Sequence, residues 1–277
     1  MKTTAKNRAR VSFSQADRYA ALAFLLAIPL YSIAPWLAQI PLILFLLLCI
    51  IAPFCPQWSF FLPLITTSTN GSKGVALTFD DGPSPLSTPI ILQLLKKHNY
   101  KATFFVIGQK AEKHPDLITA ILADGHSIGN HSWQHDNLLM LRSKKRLRRD
   151  IKKTQQILKT FGIRPLVFRP PAGITNPRLQ SVLQEEHLQA VTFSCRAFDH
   201  GNKKIANLAK RITTKLTPGA IILLHDLAPE SAEATVEWQQ ELAALFTTLY
   251  QTKQKVLPLN MLIDSEVMLT TTPSSKS

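Results

Sequence analysis

The stretch Val75-Ala76-Leu77-Thr78-Phe79-Asp80-Asp81-Gly82-Pro83-Ser84 is an apolar run that ends in two adjacent carboxylates and a turn. Its alternating and β-branched residues predict a strand, and Gly82-Pro83 stops it, so Asp80 and Asp81 belong at the strand's carboxyl end. Open and barrel α/β sheets place their chemistry there. Successive strand side chains point to opposite faces, but a turn at Gly82 lets both carboxylates meet at one rim. Two acids side by side repel, so a cation or an arginine is expected close by.

Further along, Gly129-Asn130-His131-Ser132-Trp133-Gln134-His135 offers two imidazoles at i and i+4, a spacing that stacks both on one face of a helical turn. One carboxylate with two imidazoles leaves room for water around Zn²⁺ or a similar divalent ion. Taken alone, such a pair is more often two surface histidines. The Asp-Asp strand end gives it weight.

Three more motifs follow in the order in which they occur in a known family. Arg169-Pro170-Pro171-Ala172-Gly173, a degraded segment from Phe193 to His200, and Leu224-His225-Asp226 join Thr78 to Pro83 and His131 to His135. With these five the sequence resembles the polysaccharide deacetylases with a NodB-homology domain, carbohydrate esterase family 4, over roughly residues 73–259. The resemblance implies an α/β fold, a distorted (β/α)7 barrel of the NodB-homology type; the apolar stretch ahead of it, read on its own composition, is expected to be an N-terminal transmembrane helical segment. The resemblance implies that Asp81, His131 and His135 hold the metal, that Asp80 is the general base and that His225 protonates the leaving nitrogen. It further implies that Arg169 pairs with Asp80, that Asp199 orients His225 and that the backbone N–H of Ala172 donates into an oxyanion hole. The family usually carries Tyr at that last position. Its fourth motif normally reads D-x-x-D-W after a W-S pair, whereas here the first acid is Arg196 and the Trp is His200. His98, His114, His126, His187 and His200 have no motif setting and are expected to carry no role.

From Tyr19 through Ser72 there are 54 consecutive positions without Asp, Glu, Lys, Arg or His. A bilayer core takes about 20 apolar residues per helix, so this stretch accommodates two passes, at 19–37 and from 40 to 52 or slightly beyond. Pro35 and Pro41 are expected to bracket the turn, with Pro29 kinking the first pass. A cleaved signal peptide is the competing reading, but its apolar region spans only about 7–15 residues. Lys2, Lys6, Arg8, Arg10 and Arg18 against Asp17 predict a cytoplasmic amino terminus at the cell membrane. A hairpin returns the catalytic domain to that side; a single pass leaves it outside.

The 277 residues carry 32 Lys and Arg against 18 Asp and Glu, a net charge of +14. Much of the excess clusters between Arg142 and Lys153, where Leu147, Ile151, Thr154, Leu158 and Phe161 recur at spacings of four and three, predicting an amphipathic helix with a basic outer face. Such a face is solvated or touches anionic membrane lipids. Nucleic acid is excluded as a partner because no aromatic residues interleave with these charges. Cys49 and Cys55 lie in the apolar stretch and Cys195 alone in the domain, so no intradomain disulfide forms.

Past a polar linker, apolar runs at 102–108, 126–130, 166–169, 190–194, 219–225 and 255–259 predict strands. Intervening stretches at 89–98, 115–123, 138–161, 177–186, 205–216 and 234–253 predict helices, an alternation that argues for βαβ units and a parallel sheet. The expected organisation is a basic cytoplasmic amino terminus (1–18), a transmembrane anchor of two helices (19–65), a linker (66–73), a NodB-like catalytic domain (74–262) and a carboxyl-terminal tail (263–277). The function expected from the resemblance is metal-dependent N-deacetylation of an amino sugar in an envelope polysaccharide or lipid-linked glycan precursor. The rival is a catalytically inactive NodB-like glycan-binding module.

Overall fold

A computed structural model describes residues 14–270. Residues 1–13 of the basic amino terminus and 271–277 of the tail lie outside the described residues.

Two apolar helices open the chain, α1 (Gln15–Ile33) and α2 (Pro35–Ile51), followed by short 3-10 turns at Ala52–Phe54 and Pro56–Trp58. Ser14 caps α1 in a reciprocal box with Asp17. Only Ala34 separates the helices, and Pro35 takes the first turn of α2, where its missing N–H costs nothing. Pro41 therefore does not bracket the turn as expected. It sits inside α2, as proline can when an apolar helix is supported by a neighbour.

The remaining elements alternate. They run β1 (Ala76–Asp80), α3 (Ser87–Lys97), β2 (Ala102–Val106), α4 (Gly108–Lys113), α5 (Pro115–Ala123) and β3 (Ser127–Asn130). Next come α6 (Lys144–Thr160), β4 (Ile163–Pro165), β5 (Val167–Phe168), α7 (Pro177–Glu186), β6 (Gln189–Ala190) and β7 (Cys195–Arg196). The last are α8 (Leu208–Thr213), β8 (Ile221–His225), α9 (Ala232–Gln251), α10 (Leu259–Ile263) and β9 (Met268–Thr270). Seven strands form one sheet in the order β6-β5-β3-β2-β1-β8-β7, with every pair parallel. Strands β1 and β2 are buried along their whole length, as parallel strands covered on both faces must be.

The sheet curls, and chain from the expected linker lies across its seam. Ile65 bridges Val191 on the β6 side while Thr67 bridges Ala220 at the foot of β8. Asn70 and Thr69 then bond to the carbonyls of Met261 and Ile263 at α10. Beyond it, β9 pairs antiparallel with β4, so residues 268–270 of the expected tail are part of the fold.

Three further expectations need correction. The predicted helix over 138–161 is two pieces, a 3-10 turn at Leu139–Leu141 and α6, because Ser143 accepts from the Arg146 amide and starts a new helix. The run 255–259 forms only a bridge between Val256 and Val75, since Leu259 already begins α10. The predicted strand 190–194 shortens to β6 plus that single Val191 bridge, because the chain must cross from one sheet edge to the other before β7.

The apolar face of α6 is the expected one. Leu147, Ile151 and Leu158 are fully buried while Lys145, Arg148 and Arg149 face outward. Leu147→Ala should lower folding stability by about 2–5 kcal/mol, whereas Lys145→Ala should stay within about 0.5 kcal/mol of wild type, as read by thermal unfolding of the detergent-solubilised protein.

Candidate active site

Parallel strands deliver their carboxyl ends to one rim, and the expected site residues converge there. Asp80 ends β1, His131 follows β3, Arg169 follows β5 and His225 ends β8. Register places Asp80 directly beside His225 on the neighbouring strand. Asp81 turns away from the strand with φ +71, and this left-handed residue brings the second carboxylate to the same mouth.

The histidine pair is not helical. Ser132 (φ +72) and His135 (φ +54) are both left-handed, which no helical turn allows. Side chains build the loop instead: Asn130 Oδ1 accepts from the Ser132 amide at 2.9 Å, and Ser132 Oγ accepts from the His135 amide at 3.0 Å. The imidazoles still meet, with ring centroids 4.9 Å apart.

His131 Nδ1 donates to the Arg169 carbonyl at 2.8 Å, which leaves Nε2 as a lone pair. That atom faces Asp81 Oδ1 at 3.5 Å, and His135 Nε2 faces the same oxygen at 3.2 Å. One ligand atom from each of Asp81, His131 and His135 lies within 4.8 Å of the others. Buried Asp81 Oδ1 has no hydrogen-bond donor. Three lone pairs aimed at one point, one of them an orphaned carboxylate oxygen, fit a divalent cation. The charges agree. Burial pushes the His131 imidazole down, but Asp80 and Asp81 push it up and win, so the local potential is strongly negative. His135 is held below its ordinary value by burial, which keeps a lone pair available.

Asp80 is held separately. Arg169, almost entirely buried, donates to Asp80 Oδ1 at 2.7 Å and to Thr78 Oγ1 at 2.8 Å. The other oxygen, Oδ2, stays 3.8 Å from His131 Nε2, beside the triad. On β8, His225 Nδ1 lies 2.8 Å from Asp199 Oδ2. Burial lowers the His225 pKa, but the Asp199 hydrogen bond and charge raise it further, favouring the imidazolium. Ala172 adopts φ +55 in a 3-10 turn and lines the same cleft of about 510 Å³. Seven of the eight expected residues therefore line one cavity, and the eighth, Arg169, stands behind Asp80, bonded to its Oδ1.

A family model described as polysaccharide deacetylase matches residues 67–192. A chitooligosaccharide deacetylase of Azorhizobium caulinodans is 35% identical over 168 residues, 60% of this chain and 80% of that protein. The chain belongs to the polysaccharide deacetylase family. The peptidoglycan-N-acetylglucosamine deacetylase PgdA of Listeria monocytogenes is 34% identical over 184 residues, 66% of this chain but only 37% of that longer protein. Among solved structures, the Bc1960 peptidoglycan N-acetylglucosamine deacetylase superposes with a TM-score of 0.67 at 30% identity, covering 74% of this chain and 94% of that one.

Several residues that shape this family site were not singled out from sequence. Asp226 is fully buried and accepts from Ser87 Oγ at 2.7 Å and Thr88 Oγ1 at 2.6 Å. Its carboxylate fills the space under the Asp80-Asp81 turn, where a Cβ on Gly82 would stand 2.2 Å from Oδ2. The only signal was its place immediately after His225. Lys110 donates to the Asp81 carbonyl at 2.7 Å, and Asn202 ties the His225 and Leu227 carbonyls together. Neither carries a pattern in the sequence. His126, expected to have no role, is a satisfied core histidine whose Nδ1 accepts from the Ala102 amide.

Asp150 on α6 anchors the histidine loop by accepting from the Trp133 amide at 2.7 Å. Burial pushes its carboxyl up from 3.8 to about 6 despite that bond. The folded state therefore binds this proton more tightly than the unfolded chain, and its contribution to stability is lost as pH rises from about 4 to about 6. Asp150→Asn keeps the accepting oxygen and removes the titration. The fall in melting temperature between pH 4 and pH 6.5 should be smaller in the variant than in wild type, as measured by differential scanning fluorimetry.

Proposed function

We propose that the protein is a membrane-anchored, metal-dependent carbohydrate N-deacetylase that hydrolyses the N-acetyl group of an amino sugar in an envelope glycan or its lipid-linked precursor. The observation that carries this reading is the Asp81, His131 and His135 triad flanked by two separately buttressed groups, Asp80 on Arg169 and His225 on Asp199. The names of the relatives, which are peptidoglycan and chitooligosaccharide deacetylases, point to the same reaction class.

Asp81, His131 and His135 would hold a divalent ion, with Zn²⁺ the best match to one oxygen and two imidazole nitrogens. Such an ion lowers the pKa of water and polarises a carbonyl. Asp80, its Oδ1 held by Arg169, takes the proton of the attacking water through its free Oδ2. The Ala172 N–H donates to the carbonyl oxygen as it gains negative charge. Asp199 holds His225 protonated, and His225 passes its proton to the nitrogen as the C–N bond breaks. One water is consumed, and acetate and a free amine leave.

The anchor is assigned to residues 19–65 and the catalytic unit to 74–262. Both helices are long and apolar enough to cross a bilayer. Leu25 and Ile28 are 66% and 70% exposed, a surface that suits lipid rather than water. A removed signal sequence would not need the contacts seen here. Tyr19 stacks on Phe60, and Ala52, Phe60, Phe61 and Leu62 pack in one cluster with Leu147 and Leu179 of the domain.

An inactive glycan-binding module would bind N-acetylated oligosaccharides and release no acetate. Asp80→Asn should cut kcat by about 10²–10⁴-fold with metal content unchanged by mass spectrometry. His135→Ala should lose the metal together with the activity. A wild-type protein that releases no acetate with bound zinc, or an Asp80→Asn variant of full activity, overturns the assignment.

A further inference from the structure

The catalytic cleft does not end at the metal-ligand triad. It opens into a second groove of about 630 Å³, and the two share Ala172, Phe193, Arg196 and Phe198. One wall of this groove belongs to the hairpin. Pro53, Phe54 and Gln57, immediately beyond α2, face the barrel residues Phe193, Arg196 and Lys215 across it.

The chemistry of the groove is cationic and aromatic. Phe198, held at φ +56, lies between two positive groups, with Arg196 Cζ 4.1 Å and Lys215 Nζ 4.7 Å from its ring centroid. Among the described residues neither cation pairs with a carboxylate. Two cations brought to one aromatic ring, neither in a salt bridge, make a site for a phosphate oxyanion, the one charge that a phosphodiester carries. At the hairpin end, Phe54 is 72% exposed and Trp58 41% exposed, where aromatic side chains mark the headgroup level of a bilayer.

The hairpin also fixes sidedness. The Ala16 amide bonds to the Phe60 carbonyl at 2.9 Å, so the chain enters α1 and leaves the segment after α2 at one place, on the barrel's side. With both helices spanning, the start of α1 and the domain share a face, which Arg18 and the basic residues ahead of it in the sequence would make the cytoplasmic one. A finished wall polymer is absent from that face.

We propose that the substrate is an N-acylated saccharide carried on a membrane lipid through a phosphate ester, with the phosphate held by Arg196 and Lys215 and the lipid passing Phe54 into the inner leaflet. The proposal rests on the deacetylase reading and narrows its substrate class. The sugar extends from the phosphate toward the triad, and the amide reaches Asp80 and His225 while the lipid never leaves the bilayer. The enzyme then acts after the transferase that loads the acylated sugar onto its carrier, and before whichever step first requires the free amine.

The test uses the full-length protein in phosphatidylcholine nanodiscs and three carriers of N-acetylglucosamine: a polyprenyl-phosphate ester, the soluble sugar 1-phosphate and neutral chitotetraose. Acetate release should favour the polyprenyl ester by at least about tenfold in kcat/KM. Lys215→Glu should collapse that preference through KM, and Lys215→Arg should keep it. Equal turnover of the soluble phosphate and the lipid ester overturns the lipid component. Fastest turnover of chitotetraose, indifferent to Lys215→Glu, overturns the proposal. If no carrier yields acetate, the deacetylase reading fails, and retention of polyprenyl phosphate by native mass spectrometry judges the groove alone. A loss of about tenfold in Lys215→Glu upholds the groove, and equal retention overturns it.

Discussion

Arg169 is the residue on which the site depends. A guanidinium with almost no access to water can persist only if its donors are met inside the protein. Here the side chain reaches Asp80, Thr78 and the carbonyls of Val191 and Thr192, with the face of Phe105 stacked at 4.0 Å. Its own carbonyl accepts from His131 Nδ1. One residue thus positions the proposed base with its side chain and fixes the tautomer of a proposed metal ligand with its main chain. Adjacent carboxylates at Asp80 and Asp81 would otherwise repel; the arginine neutralises one and leaves the other for a cation.

Much of this was legible before any coordinates. The apolar run into Asp80-Asp81-Gly82-Pro83 is a parallel strand buried on both faces, and its register with β8 brings His225 alongside Asp80. Residues that act through side chains at strand ends leave a pattern because the strand, the stop and the functional group are contiguous. What escaped was long-range or conformational. The helical reading of His131 to His135 failed because two left-handed residues can bring i and i+4 together as well as a helix can. Asp226 and Lys110 support the catalytic turn from elements distant in sequence, and a lysine on a short helix carries no mark of the carbonyl it will meet. The seam contacts of Thr67, Thr69 and Asn70 hid in a Ser/Thr-rich stretch that composition assigns to a linker.

The departures from the family pattern fall together in space. Arg196 stands where the fourth motif usually has an acid, and Ala172 stands where the third usually has a tyrosine; both line the boundary between the cleft and the groove beside the hairpin. Removing an aromatic wall and reversing a charge at that boundary changes what approaches the triad without altering the triad itself. The fold and the triad geometry can thus be shared with the peptidoglycan deacetylases while the approach differs.

The seam has a consequence for how the chain is divided. Ile65, Thr67, Thr69 and Asn70 connect β6, β8 and α10 across the only gap in the described sheet order, and Phe60 to Leu62, just ahead of them, occupy the core beneath α6 and α7. Excising everything before Lys73 to obtain a water-soluble enzyme would unzip the barrel along that edge and bare the floor it covers. The hairpin and the barrel therefore share one core.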